Sequence, residues 1–194
     1  MLNTFFQNLG TIGTFLGGVA AILAIIGGPK LLSIFRREVI KVNTACMNRL
    51  IKQGLEHEAS KWNPSDYYTL DIEFQSGHRL HVPMFPGRSM IVQENVEMCV
   101  NDHSEEFTEL GLRCTGIGNI DKHRHATNIE VIHVERGTVT CLETGNIYRA
   151  GDIWTIEPGE WHSATFQHCY CRVIHKPCLP TAADSPMDLK AIPT

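Results

Sequence analysis

Alternation of apolar and polar residues, which starts after the first third of the chain, restricts the fold more than any other feature. Leu70, Ile72 and Phe74 alternate with polar neighbours, which is the period of a strand with one buried face. Further short apolar runs are separated by turn sequences such as Ser-Gly, Pro-Gly and Thr-Gly-Asn. Short strands with frequent turns are typical of a β-sandwich or β-barrel. We therefore predict a mainly β domain at residues 66–178 and a C-terminal tail at 179–194.

The N-terminal segment has a different composition, because its first 29 residues contain no Asp, Glu, Lys, Arg or His. Such a run is long enough for a helix that spans a hydrocarbon core of about 30 Å. A cleaved signal peptide would begin with basic residues, which are missing here. We predict a transmembrane segment at 1–29 and an amphipathic helix or linker at 30–60, which the turn sequence WNPSD (Trp62 to Asp66) ends. The alternative for the first segment is a helix buried in its own domain or in an oligomer core.

The distribution of charge predicts the topology and the partners. Basic residues follow the apolar run and none precedes it: Lys30, Arg36, Arg37 and Lys41. The positive-inside rule then predicts a single-pass protein with its N-terminus outside and its β-rich domain in the cytoplasm. The seven cysteines are an odd number without framework spacing, which suits a reducing compartment. With 17 basic against 21 acidic residues, the chain lacks the positive excess of a nucleic-acid-binding protein.

Small residues recur at every third or fourth position of the apolar segment: Gly10, Gly13, Gly17, Ala20, Ala24 and Gly27. On a helix they share one face, which allows two helices to approach closely. Gly and Ala are also common in membrane helices that do not associate, so both interpretations stay open. The expected partners are therefore a lipid bilayer and further copies of this chain in a homo-oligomer, and nucleic acid is not expected.

Histidines with a regular spacing lie in the β-rich region. His123 and His125 are two residues apart, so on a strand both imidazoles point to the same face and can bind one metal ion. Glu130 follows at an odd interval and faces the same side only if the chain turns at residues 126–128. In a second segment, a Pro-Gly turn precedes His162, which then projects inward from the next strand.

Strand parity also assigns the residues around these positions. Beyond Glu130, the even-numbered residues up to 134 face the interior, the odd-numbered ones face outward, and Arg136-Gly137 makes the next turn. On the following strand, His168 shares its parity with His162 and is a candidate to line the same cavity. An ordinary strand histidine is the alternative for His168.

The two segments together resemble the cupin superfamily, whose motifs are G-x5-H-x-H-x3,4-E-x6-G and G-x5-P-x-G-x2-H-x3-N. The matching residues are His123, His125, Glu130, Gly137, Gly151, Gly159 and His162. The chain departs from the pattern at Gly118, which is one residue too near His123, at Glu157 in place of Pro and at Phe166 in place of Asn. The resemblance covers about residues 66–178. It implies a cupin-type jelly-roll β-barrel with a metal bound by His123, His125, Glu130 and His162.

These ligands suggest what the metal centre can do. Three imidazoles and one carboxylate leave about two positions open on an octahedral Fe(II), Mn(II) or Ni(II), whereas tetrahedral Zn(II) would be nearly closed. We predict a membrane-anchored metal-binding cupin-domain protein with one divalent transition metal (Fe, Mn, Ni or Zn) and no assigned catalysis. One alternative is a metal-dependent dioxygenase or isomerase that acts on a small oxygenated metabolite, which would then be a further partner. The other is a structural or sensing module that assembles through its N-terminal helices. Candidate acid or base groups are Tyr148, Glu157, His168 and Tyr170.

Overall fold

The computed structural model of the protein describes residues 44–190 and residue 192. The predicted transmembrane segment at 1–29, the stripe of small residues within it and the first part of the predicted helix at 30–60 lie outside the described residues. Among the described residues, no helix is long and apolar enough to cross a bilayer.

An α-helix, α1, covers residues 44–59 and ends in a turn. Its side chains Ile51 and Leu55 are buried in the main apolar core of the protein. The buried carboxylate of Glu58 near its end pairs with Lys61 at 2.9 Å. The WNPSD sequence then forms a short 3-10 helix, Pro64–Asp66, which starts at its proline. The last turns of α1 are thus part of the packed body rather than a detached linker.

Antiparallel strands form the rest of the body. Within the described residues they are β1 (Tyr68–Phe74), β2 (Arg79–Met84), β3 (Met90–Gln93), β4 (Val96–His103), β5 (Thr108–Cys114), β6 (Ile117–Arg124), β7 (Ile129–Cys141), β8 (Ile147–Arg149), β9 (Ile153–Ile156) and β10 (His162–Lys176). The hydrogen-bonded order is β2-β1-β6-β10-β5-β4-β3, and β7 pairs with β10, β8 and β9. This arrangement is a mainly β, jelly-roll-like barrel, as the sequence predicts.

The two longest strands, β7 and β10, organise the barrel. The first half of β10 pairs with β6 and with the second half of β7, and the second half of β10 pairs with β5 and with the first half of β7. The buried side chains of both strands face one continuous apolar core, which includes Ile132, Val139, Phe166 and Val173. β10 therefore joins the part of the barrel that carries the predicted histidines to the part built from β4 and β5.

A kink in both long strands changes which residues face inward. Gly137 on β7 and His168 on β10 adopt positive φ angles of 77° and 45°, and the pairing of the two strands is irregular at this point. Before the kink the buried residues of β10 are even-numbered apart from Ser163, as in Phe166, and after it they are odd-numbered, as in Val173. The prediction of a turn at Arg136-Gly137 is therefore wrong, because β7 continues through these residues and absorbs the extra length as a kink.

The segment after β10 packs against the barrel. Leu179 and Leu189 are buried in the main core. The N–H of Thr69 on β1 donates to the carbonyl of Pro180, and His81 and Asp188 exchange backbone hydrogen bonds. Within the segment predicted as a tail at 179–194, residues 179–190 thus pack against β1 and β2.

Candidate metal centre

The four predicted ligands converge from neighbouring strands. His123 is the second-last residue of β6 and His125 follows the end of that strand, while His162 is the first residue of β10 and pairs directly with His123. Glu130 is the second residue of β7, and the chain bends at residues 126 and 127 before it, as the odd spacing requires. All four side chains are buried, and their ligand atoms lie within 4.8 Å of one another.

Each of the three histidines is held by its Nδ1 atom. The acceptors are backbone carbonyl oxygens: Asp121 for His123 at 2.7 Å, Asp71 for His125 at 2.8 Å and Glu160 for His162 at 3.1 Å. Because a carbonyl oxygen can only accept, each Nδ1 carries the proton and donates it. A neutral imidazole in this tautomer has its lone pair on Nε2. Metal-binding histidines commonly have the same arrangement, because a hydrogen-bond acceptor beside the other ring nitrogen fixes the tautomer.

The carboxylate of Glu130 completes the group of acceptors. Its Oε2 atom lies 2.9 Å from Nε2 of His162 and 3.4 Å from Nε2 of His125. Glu130 Oε2 and His162 Nε2 are both buried, and neither makes a hydrogen bond. Two buried acceptors at this distance repel each other unless a cation or a proton lies between them. The site is therefore built to hold a positive charge.

The protonation of the group follows from the same contacts. Burial would raise the pKa of the Glu130 carboxyl, but the adjacent His125 and His162 imidazoles outweigh it and hold that pKa well below its ordinary value. Burial would lower the pKa of His162, but Glu130 outweighs it and raises that pKa. Burial, and then repulsion from His162 and His125, lowers the pKa of His123 to about 3. If a metal ion replaced the proton that Glu130 favours on His162, the group would be a carboxylate beside neutral imidazoles, which is a donor set suited to a divalent transition metal. This group could therefore hold one.

Aromatic side chains surround the histidines. The edge of His162 meets the ring of Trp154 on β9 at a centroid distance of 6.0 Å. The ring of Tyr148 on β8 stacks on the ring of Trp154, with 5.3 Å between the two centroids. The ring centroid of Phe74 on β1 lies 6.5 Å from that of His123. Apolar walls reduce the local dielectric constant, which strengthens the electrostatic interactions of any bound ion.

A fourth histidine in this region was not identified from the sequence. His175 on β10 is fully buried, lies opposite Glu130 in the strand pairing and has its Nε2 atom 4.0 Å from Glu130 Oε1. Its ring centroid is 5.0 Å from that of His125. Simple alternation from His162 places residue 175 on the outer face. The kink at His168 reverses this parity and turns His175 into the barrel.

The other candidate residues lie away from the four ligands. His168 is exposed at the kink, so of the two alternatives it is an ordinary strand histidine and does not line the cavity. Glu157 is exposed in the loop before His162. The hydroxyl of Tyr170 accepts a hydrogen bond from Asn101 on β4 at 3.3 Å. Two of the four candidate acid or base groups contact a neighbour of the site: Tyr148 stacks on Trp154, and the backbone of Glu157 is hydrogen-bonded to Glu160, whose carbonyl accepts from His162.

Comparisons with known proteins found similarity to solved structures alone. Neither a protein-family model nor a curated protein sequence matches the chain. The similar solved structures include KdgF from Halomonas sp. (13% identity, TM-score 0.43, 46% of this chain and 86% of that chain). They also include an RmlC-like cupin from Shewanella frigidimarina (15%, 0.42, 50% and 87%) and a cupin-superfamily sugar phosphate isomerase from Silicibacter pomeroyi (14%, 0.38, 43% and 60%). Two of these three neighbours are described as cupins.

Proposed function

We propose that this cupin-fold chain binds one divalent transition metal through His123, His125, Glu130 and His162. The observation that carries the proposal is the arrangement of protons in the site. Three imidazoles are fixed with Nδ1 as donor to a carbonyl. Nε2 of His125 and Nε2 of His162 lie 3.4 Å and 2.9 Å from one carboxylate oxygen of Glu130, and the ligand atom of His123 lies within 4.8 Å of the others. If these histidines had only a structural role, we would expect their Nε2 atoms to be paired in hydrogen bonds, because an unpaired buried acceptor is destabilising.

The proposed role is that of a site for a small oxygenated ligand. When bound, a metal of this kind polarises a carbonyl or enolate oxygen as a Lewis acid. The four residues hold the ion, and the aromatic side chains Trp154 and Phe74 shield it from bulk water. Because four protein atoms do not saturate an octahedral ion, about two positions stay available to a ligand. We assign no reaction to the site.

Counting the water molecules on the bound ion tests this role. We expect Mn(II)-loaded protein to carry about two exchangeable waters, since three nitrogens and one carboxylate oxygen leave that number of positions on an octahedral ion. Water-proton relaxation and electron–nuclear double resonance on the loaded protein measure the number. A fully protein-coordinated ion without water would instead identify a closed structural or sensing site.

We further propose that residues 1–29 anchor the protein in a lipid bilayer, with the barrel on the cytoplasmic side. The support is the uncharged run of the first 29 residues and the basic residues that follow it, among them Lys30, Arg36 and Arg37. We expect the full-length protein to stay in the membrane fraction after alkaline carbonate extraction, whereas a variant that starts at Met47 should be soluble. In sealed right-side-out vesicles, external protease should leave the barrel intact. Release of the full chain by carbonate would contradict the anchor, and digestion of the barrel from outside would contradict the orientation.

A further inference from the structure

His175 is unusual because it is buried without any hydrogen bond. Its side chain has no exposed surface, and neither Nδ1 nor Nε2 has a partner. A neutral imidazole always has one N–H donor and one acceptor nitrogen, and leaving both unpaired away from water is destabilising because neither regains the hydrogen bond it made to water. A leucine or phenylalanine would fill the same space without this cost. The imidazole at this position therefore requires a partner to explain it.

The surroundings of His175 show which partner is available. It lies between Glu130 on β7 and Thr108 on β5 in the strand pairing. The hydroxyl of Thr108 is already engaged, since it contacts Nδ1 of His103 at 2.8 Å and accepts from the N–H of Leu179 at 2.9 Å. The carboxylate of Glu130, in contrast, turns Oε2 towards His125 and His162 and leaves Oε1 on the side of His175. Each carboxylate oxygen thus has its own histidine neighbours.

His175 also differs from the three proposed ligands in its tautomer. In those histidines a carbonyl fixes the proton on Nδ1, so that Nε2 can only accept or bind a metal. No carbonyl fixes Nδ1 of His175, so its proton is free to reside on Nε2. Nε2 is 4.0 Å from Glu130 Oε1, which is about 1 Å longer than a hydrogen bond and too short for a water molecule between the two atoms. A hydrogen bond between them therefore requires the two atoms to approach by about 1 Å.

We propose that His175 is a positioning residue for Glu130. Its Nε2–H donates to Oε1, so that Glu130 presents Oε2 alone to the metal. A carboxylate can bind a metal through one or both oxygens, and a donor on Oε1 favours the first mode. His175 would thereby keep a coordination position open for the small ligand. This inference rests on the proposed metal site and adds to it a residue that the ligand motif does not contain.

Two variants of His175 test the role. His175→Leu removes the donor and keeps an apolar side chain of similar bulk, whereas His175→Gln keeps an N–H near the position of Nε2. Because loss of a partner that orients a metal ligand typically costs about 10–100-fold in metal affinity, we expect a loss of that size in His175→Leu and a loss below about threefold in His175→Gln. The visible absorption bands of bound Co(II), which report ligand number and geometry, should change in the leucine variant and be restored in the glutamine variant. Competition titration with Co(II) and Zn(II) alone provides both measurements.

The controls separate this inference from the metal site itself. His133→Leu on the outward side of β7 should leave the affinity and the Co(II) spectrum unchanged. If the wild-type protein binds metal and His175→Leu has the same affinity and spectrum, the positioning role is wrong while the metal site stands. Equal weakening in the leucine and glutamine variants, with native circular dichroism in both, would also overturn it, because the donor would then not matter. If the wild-type protein binds no metal, the proposed metal site fails, and this inference fails with it.

Discussion

Replacement of His123 and His125 by alanine is expected to abolish metal binding. The purified wild-type protein should contain about one divalent transition metal per chain, and the double variant should contain almost none. The two imidazoles supply half of the four proposed ligand atoms. Because loss of a partner outside the ligand set already costs about 10–100-fold, loss of two direct ligands should weaken binding by well over about 100-fold.

Elemental analysis and thermal unfolding measure this effect independently. A ligand present at 100 times its Kd stabilises the folded state by about 2.7 kcal/mol, which corresponds to a rise in Tm of roughly 5 °C or more for a domain of this size. We expect that rise for the wild type on addition of metal and no rise for the double variant. The matched control is His133→Ala with His168→Ala, which removes two histidines that lie outside the cluster. Equal metal content in the double variant and the control would show that the ion binds elsewhere.

Gly137→Ala is expected to be the most destabilising single substitution at a glycine of the barrel. Gly137 has a φ of 77°, which costs an L-residue about 1–2 kcal/mol. A Cβ at this position would also contact the carbonyl oxygen of His168 and lie 2.6 Å from that of Gln167. Both atoms belong to the backbone of β10 and cannot rotate away. With overpacking at about 1–3 kcal/mol, we expect a loss of about 2–5 kcal/mol in the free energy of unfolding.

Gly145→Ala is the matched control for the kink. Gly145 has nearly the same φ, 75°, but no atom lies within 4 Å of its added Cβ, so only the backbone cost of about 1–2 kcal/mol applies. Urea denaturation of both variants gives the difference. A loss at Gly137 no larger than at Gly145 would mean that β7 and β10 do not approach each other at the kink as described.

Much of the barrel could be predicted because strand parity is a local property. The alternation at Leu70, Ile72 and Phe74 matches β1, and the hairpin around Gly145 lies between β7 and β8. The odd spacing between His125 and Glu130 required a bend at residues 126–128, which the structure contains. These features depend only on neighbouring residues, so the sequence carries them directly.

The position of His175 could not be predicted by simple alternation, because it depends on the kink. Counting alternate residues from His162 places His175 on the outer face and His168 inside. The structure has the reverse, with His175 buried and His168 exposed. A signal was nevertheless present in β10. The apolar residues change from even positions, such as Phe166, to odd positions, such as Val173, and a change of this kind within one strand indicates a bulge or kink.

The packing of the segments that flank the barrel also required the structure. Leu179 and Leu189 are isolated apolar residues in a stretch rich in Pro, Asp and Ser, so no periodicity marks them as buried. In α1, Ile51 and Leu55 are buried in the main apolar core, a contact that the prediction of an amphipathic helix or linker at 30–60 did not specify. Which partner an amphipathic face packs against is a tertiary property that a helical pattern does not specify.

The central claim is that one ion lies between three imidazoles and one carboxylate. Anomalous diffraction from crystals of the metal-loaded protein, recorded on both sides of the absorption edge of the metal, tests it most directly. We predict a single strong peak per chain at about 2.0–2.2 Å from Nε2 of His123, His125 and His162 and from an oxygen of Glu130. A peak coordinated by other residues, or no peak in crystals of protein saturated with metal, would contradict the assignment of this site.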